Sequence, residues 1–262
     1  MKKAYPRYLP WIIFAEDRDL GELCFTVQNR PGELAKALQI IAKYGVNIVS
    51  TIGYSHPTWN QATITLAVDV TDIDDNLLKQ MLKELEANTV GKVLFKKNVI
   101  KGFLVSELAF PIYLDLHTRV LLFSLEEVGS MLKALYDKYG DVTASILYNL
   151  GYGGGVFIAK IMVDKLKTIG KEKLLIELLK ILQAAGWALV EVEEMNLTRP
   201  SISLKLYENF ECKALKYRYK PSSNLVRGYL SGLFSTVLDQ SIRFRETRCI
   251  AVGDKYCRLV SE

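Results

Sequence analysis

Three residues near the C-terminus have the types and the spacing of a metal site. Glu246 is followed after two residues by Cys249, and Cys257 comes after seven more. Two thiolates and a carboxylate are donors that suit tetrahedral zinc. Two other interpretations stay open: the cysteines could be small buried hydrophobic residues, or Cys249 and Cys257 could form a redox-sensing pair.

Aromatic side chains are concentrated in the second half of the chain. An apolar cavity with a few polar tips would suit an aromatic or lipid-like molecule, although each aromatic residue taken singly also fits an ordinary core. The candidates for this pocket are Tyr148, Tyr152, Phe157, Trp187, Tyr207, Phe210, Tyr229 and Phe234. Glycines 151 and 153–155 do not form a dinucleotide-binding motif, and they predict either close helix packing or a flexible lid.

The first half alternates between strand and helix patterns. Apolar residues recur with a period of two or with helical spacing, which predicts the order β-α-β-β-α-β. The segments are 20–28, 33–44, 46–54, 61–70, 74–87 and 90–103. This order is typical of a ferredoxin-like fold, an antiparallel sheet with two helices on one face.

A turn with a distinctive composition joins the first strand to the first helix. Gly32 would let the backbone approach a ligand, and the free N–H groups of the helix that follows would attract a carboxylate. Residues 19–100 resemble an ACT domain, a regulatory module that binds amino acids, and 25–48 carry the match. The resemblance implies a ligand site at Asn29, Arg30, Pro31, Gly32, Glu33 and Leu34, where the Asn29 amide would bind both charged ends of an amino acid. Two other interpretations stay open: ordinary turn chemistry, and an ACT-like module that only dimerises.

The second half predicts four helices and several strands. Ser124 and Glu127 form a capping box that opens the first helix. The predicted helices are 124–139, one from 141 to about 150, 171–185 and 224–239, and the predicted strands are 187–196, 201–210, 212–219, 242–250 and 256–260. In the strand at 212–219, Lys216, Arg218 and Lys220 would share one face.

This half resembles the 4-vinyl-reductase-type domain, through YENFECKAL at 207–215, RGYLSGLFS at 227–235 and RETRCIAVGDKYCRL at 245–259. The resemblance implies an α/β sensor domain with an antiparallel sheet flanked by helices, which encloses hydrophobic or aromatic ligands and is usually dimeric. It also implies a further zinc-binding cysteine at a position where this chain has Ser223. Cys212 could replace it only if its strand brings it close.

Together these patterns predict an α+β protein of two domains. The predicted parts are an N-terminal extension at 1–18, the ACT-like domain at 19–103, a connector at 104–119 and the ligand-binding domain at 120–262. The chain has 262 residues and a net charge of +5, which is too mild to indicate nucleic acid. We expect no membrane span, because no uncharged apolar run reaches 18 residues. Four cysteines do not make a disulfide scaffold, so a cytoplasmic location is expected.

The function expected from the sequence is ligand sensing without catalysis. His56 and His117 have no evident Ser or Cys partner, so no catalytic site is predicted. The sensor would bind an amino acid, a small aromatic molecule or both, act as a homodimer and signal to a transcription factor or enzyme in amino-acid or aromatic metabolism. Zinc is the candidate cofactor. The alternatives are an assembly scaffold and a nucleic-acid-binding regulator that uses the basic C-terminal tail.

Overall fold

The computed structural model describes residues 5–114, 117–199 and 201–262. Residues 1–4 of the predicted extension and 115–116 of the predicted connector lie outside the described residues. The chain divides into two compact units, 1–121 and 122–262, and each has its own hydrophobic core.

The first unit has the predicted ferredoxin-like element order. Its elements are β1 (Ile12–Phe14), β2 (Leu20–Gln28), α1 (Glu33–Lys43), β3 (Asn47–Tyr54), β4 (Gln61–Asp69), α2 (Asp75–Ala87), β5 (Val90–Lys97) and β6 (Phe103–Val105). The sequence β2-α1-β3-β4-α2-β5 forms an antiparallel sheet in the order β3-β4-β2-β5. The strand β1 was not predicted, and it pairs with β6.

The helices α1 and α2 cover one face of this sheet. Ile41 of α1 and Met81 of α2 pack on Phe25 and Ile64, which point to the same face of β2 and β4. The helix α2 begins at the cap residue Asp74, whose side chain accepts hydrogen bonds from two backbone N–H groups, as the sequence predicts. Residues with the opposite parity in the strands point to the other face, which no helix of this unit covers.

The second unit is a four-stranded antiparallel sheet flanked by helices, which confirms the α+β class. Its elements are α3 (Leu125–Tyr139), α4 (Val142–Lys165), α5 (Lys171–Ala184), β7 (Leu189–Asn196), β8 (Ser201–Tyr207), α6 (Phe210–Ala214), α7 (Asn224–Leu238), β9 (Phe244–Arg248) and β10 (Cys257–Ser261). The sheet order is β7-β8-β10-β9. The predicted capping box at Ser124 and Glu127 is present.

The helices α4 and α7 pack backbone to backbone. The helix α4 runs unbroken through the glycine-rich segment, so the prediction of close helix packing is confirmed over that of a flexible lid. A Cβ atom on Gly151 or Gly155 would overlap a carbonyl of α7, and one on Gly228 or Gly232 would overlap a carbonyl of α4. Reciprocal glycines therefore set this contact.

The same helix is long and apolar enough to cross a membrane by length and composition alone. This differs from the sequence expectation, because a span of 18 residues need not be free of charge to be strongly apolar. Only 22% of its most apolar window is buried within the structure. A single helix of this kind is weak evidence for a membrane, since core helices of soluble proteins share its composition.

The predicted strand at 212–219 is wrong. Its first residues belong to α6, and Lys216–Arg218 form a short 3-10 turn. The alternation of charged and apolar residues resembles a strand, but the side chain of Asn209 accepts a hydrogen bond from the N–H of Glu211 and caps a helix there. Arg218 and Lys220 both pair with Asp141, so they do not form the basic strand face on which nucleic-acid binding depended.

Candidate metal centre and ligand sites

Four metal-binding side chains converge in the second unit. One donor atom from each of Cys212, Glu246, Cys249 and Cys257 lies within 4.8 Å of all the others. The hairpin of β9 and β10 brings together the three residues that the sequence predicted. The fourth, Cys212, reaches them from α6, with its Sγ 3.4 Å from the Sγ of Cys249.

Buried N–H groups surround the sulfur atoms. The side-chain amide of Asn209 donates to the sulfurs of Cys212 (3.5 Å) and Cys257 (3.7 Å). The backbone N–H of Ile250 donates to Cys257 at 3.4 Å, and that of Ala251 donates to Cys249 at 3.3 Å. Hydrogen bonds of this kind stabilise a thiolate over a thiol, so they favour the form that binds metal.

The acid–base behaviour of the cluster reflects crowded, buried donors. Hydrogen bonds from the thiols of Cys212 and Cys249 lower the pKa of Cys257 to about 4. The hydrogen bond to Cys249 raises the pKa of Cys212, with burial adding to it. Burial raises the pKa of the Glu246 carboxyl to about 7. One thiolate is therefore stable beside neutral neighbours, and a cation would favour deprotonation of the remaining donors.

The donor set fits four-coordinate zinc. Tetrahedral zinc–thiolate bonds of about 2.3 Å separate two sulfurs by about 3.8 Å, close to the spacing here. Ser223 occupies the position of the expected cysteine, and its Oγ lies 3.1 Å from the Sγ of Cys212. Ser223 also donates to Glu246 through its hydroxyl and backbone N–H. Cys212 thus supplies the third thiol, and Ser223 orients the carboxylate.

The neighbouring Glu211 is a buried residue that the sequence analysis did not single out. Its carboxylate accepts hydrogen bonds from the backbone N–H groups of Leu225 (2.9 Å) and Val226 (3.0 Å), in the first turn of α7. Burial raises its pKa to about 8. It ties α6 to α7 and thereby fixes where Cys212 points. An acidic residue beside a cysteine was the sole sequence signal.

The predicted pocket residues lie in several places. Trp187 is the centre of one group, with its ring 5.4 Å from that of Phe210 and 5.0 Å from that of Tyr229. Phe234 is fully buried and packs edge-on against Phe244. The other four do not join the Trp187 group: Tyr148 and Tyr152 stack on each other along α4, Phe157 is exposed, and Tyr207 packs on Tyr256.

The predicted turn of the first unit is well formed but partly occupied by its own chain. Gly32 adopts φ +89 and precedes α1, and Arg30 is exposed. The side-chain amide of Asn29 donates to the carbonyls of Trp59 (2.8 Å) and His56 (3.3 Å). This amide holds the β3–β4 turn, so a ligand here would have to use backbone N–H groups or displace it. Amino-acid binding at 29–34 stays a prediction.

Comparison with known proteins gives matches in both units. Residues 23–88 match the ACT domain, and residues 202–262 match the 4-vinyl-reductase domain. The phenol regulator MopR of Acinetobacter guillouiae is 25% identical over 156 residues, which are 55% of this chain and 27% of MopR. The chain therefore spans about a quarter of the length of this curated relative.

Two solved structures are also similar. One is the phenol-responsive sensory domain of the transcription activator PoxR with phenol, at 19% identity and a TM-score of 0.51, covering 55% of this chain and 76% of that one. The other is a vinyl-4-reductase family protein from Methanocaldococcus jannaschii, at 16% identity and a TM-score of 0.39, covering 55% and 83%. The chain thus carries an ACT domain in its first unit and a 4-vinyl-reductase domain in its second.

Proposed function

We propose that this chain is a ligand-sensing regulatory protein whose second unit binds a small aromatic or hydrophobic molecule. The observation that carries the proposal is the shared fold with a phenol-responsive sensory domain. The curated relative is likewise described as a phenol regulator, which supports a regulator rather than an enzyme. The ACT domain in the same chain adds a second module of a regulatory type.

The group formed by Trp187, Phe210 and Tyr229 is the candidate ligand site. Three half-buried rings meet there beside a fully apolar core, which suits an aromatic guest. Burial raises the pKa of Tyr229 to about 12, so its hydroxyl stays protonated at neutral pH and can donate a hydrogen bond. A ligand would enter by displacing one of these rings, and Phe210, on the short helix α6, is the least constrained by secondary structure.

Cys212, Glu246, Cys249 and Cys257 would hold zinc in this unit. With four protein donors the site is closed, so the metal supplies a structural cross-link and not an open coordination position. The residues that bind it lie on α6, at β9 and at the start of β10. The cross-link would therefore hold α6 on the sheet and fix the ring of Phe210 two residues before Cys212.

The remaining parts of the proposal concern the cellular setting. The chain acts as a homodimer in the cytoplasm, where its four free thiols stay reduced. An amino acid at 29–34 is a second input. Binding favours one arrangement of the protein, which a transcription factor or an enzyme of amino-acid or aromatic metabolism then reads.

A thermal-shift assay with phenol tests the proposal. A ligand at 100 times its Kd stabilises the native state by about 2.7 kcal/mol, which raises the Tm by roughly 5–10 °C for a unit of this size. Trp187→Leu should abolish the shift. Trp11→Leu, in the first unit, is the matched control and should keep it. A failure of phenol, cresols and benzoate alike to raise the Tm would contradict an aromatic ligand.

One observation favours the alternative of an assembly scaffold. Leu150 and Phe157 of α4 are 61% and 64% exposed, and large exposed apolar side chains often mark an interface. A scaffold predicts a defined oligomer that Leu150→Lys dissociates, with no ligand that changes the Tm. A sensor that dimerises through α4 predicts the same dissociation together with a retained response to ligand.

A further inference from the structure

The first unit contains a cavity of about 690 Å³ on the face of its sheet that α1 and α2 leave uncovered. This volume lies within the range of small-molecule sites. We propose that the cavity binds a planar aromatic carboxylate. The site is separate from the turn at 29–34 and from the rings of the second unit, so it is independent of the function proposed above.

One wall of the cavity is a segment anchored to the sheet by a buried carboxylate. Glu22 of β2 is 3% exposed, and its carboxylate accepts hydrogen bonds from the hydroxyl of Ser106 and the backbone N–H groups of Glu107 and Leu108. Residues 108–111, 113 and 114 then line the cavity opposite the sheet. A carboxylate with three donors fixes this wall, so the cavity is built into the fold.

Large apolar side chains line the cavity while remaining open to solvent. Tyr54 and Trp59 meet edge to face at 5.8 Å, and across from them stand Phe110 and Tyr113 of the wall. All four are at least 45% exposed, as is Leu94 on the floor. Such a concentration of exposed rings around one concavity marks a binding site, and its shape favours a flat aromatic guest.

The charge of the lining selects an anion. Lys92 is the single charged residue among those that line the cavity, and no acidic side chain faces it there. Among the described residues, no ion pair involves Lys92. The cross-strand pair Thr26 and Thr63 adds two hydroxyls on the floor. A ring with one carboxylate matches rings, hydroxyls and a single cation together.

Calorimetric titration of the full chain with 2-naphthoate tests this site. We expect saturable binding of one molecule per chain. Thr26→Phe/Thr63→Phe adds two rings to the floor, and an aromatic cross-strand pair is compatible with the sheet. This variant should weaken binding at least tenfold. Gln28→Phe/Gln61→Phe, the next pair in the same register and outside the lining, is the matched control and should bind normally.

The role of Lys92 has its own comparison. Lys92→Gln should weaken 2-naphthoate about two- to fivefold, as expected for a partly solvated ion pair, and leave the neutral 2-naphthamide unchanged. This test stands even if the two-phenylalanine variant fails to fold. The proposal is overturned by a Kd weaker than about 1 mM, or by equal binding to the filled variant. It is overturned as well if filling the cavity dissociates an oligomer in sedimentation runs and no naphthoate binds, because the face would then be an interface between copies.

Discussion

Replacing Cys212 by Ser tests whether this cysteine has taken over a zinc ligand from position 223. The substitution removes one of three sulfur donors that lie within 4.8 Å of one another and leaves the fold of α6 unchanged. Structural zinc sites bind with about 10–16 kcal/mol. One ligand in four therefore accounts for on the order of 3 kcal/mol, and we expect the zinc Kd to rise about 100-fold.

A double substitution makes the argument specific. The Oγ of Ser223 lies 3.1 Å from the Sγ of Cys212, so a thiol at 223 would lie close to the same donor position. Cys212→Ser/Ser223→Cys should recover most of the lost affinity, whereas Cys212→Ser alone does not. Cys24→Ser is the matched control, because Cys24 lies in the first unit and bonds Thr65. Its zinc affinity should equal that of the unchanged chain.

Competition with a chromophoric chelator measures these affinities, and cobalt substitution counts the thiolates by the intensity of the charge-transfer bands. The unchanged chain should show three thiolates, Cys212→Ser two, and the double variant three. A Cys212→Ser variant that binds zinc within twofold of the unchanged chain would refute the ligand assignment. A double variant that binds no better than Cys212→Ser would refute the equivalence of the two positions.

Two further predictions concern the fold of the second unit. Gly155→Ala places a methyl group against the carbonyl of Tyr229 and should lower the free energy of unfolding by about 1–3 kcal/mol in urea titrations, whereas Gly153→Ala, with open space around it, should be neutral or stabilising by up to about 1 kcal/mol; equal effects would refute the tight α4–α7 contact. Hydrogen bonds from Ser203 and Arg258 lower the pKa of Glu193 to about 2, so its contribution is present above about pH 4.5 and lost as the pH falls toward 2. Glu193→Gln should flatten this acid limb, and an unchanged limb would contradict the assignment.

The ferredoxin-like half could be predicted because its signals are local. Period-two strands, helical spacing and the cap at Asp74 all act within a few residues of sequence. The helix α4 was predicted too short, since glycines usually interrupt helices and only the partner helix α7 explains why four glycines are accommodated. The segment around Cys212 failed for a related reason. Its charge alternation is local, whereas the contact of Glu211 with α7 that holds it in a helix is tertiary.

The candidate site shows the same division. Glu246, Cys249 and Cys257 lie on one hairpin, so their spacing alone brings them together. The third sulfur comes from an element 34 residues before Glu246, and only the folded structure shows that it fits. A missing cysteine at a family position is therefore weak evidence against a metal site, because a neighbouring element can supply the donor from another direction.

The geometry of α6 makes the metal centre and the aromatic group interdependent. Three consecutive residues on this five-residue helix have different partners: Phe210 packs on Trp187, Glu211 binds the first turn of α7, and Cys212 joins the cluster of thiols. A helix of this length has no stability of its own, so its position depends on all three contacts. Release of the metal donors would loosen the ring that closes the proposed ligand site, and a guest that displaced this ring would strain the metal centre. Linkage requires that coupling to act equally in both directions.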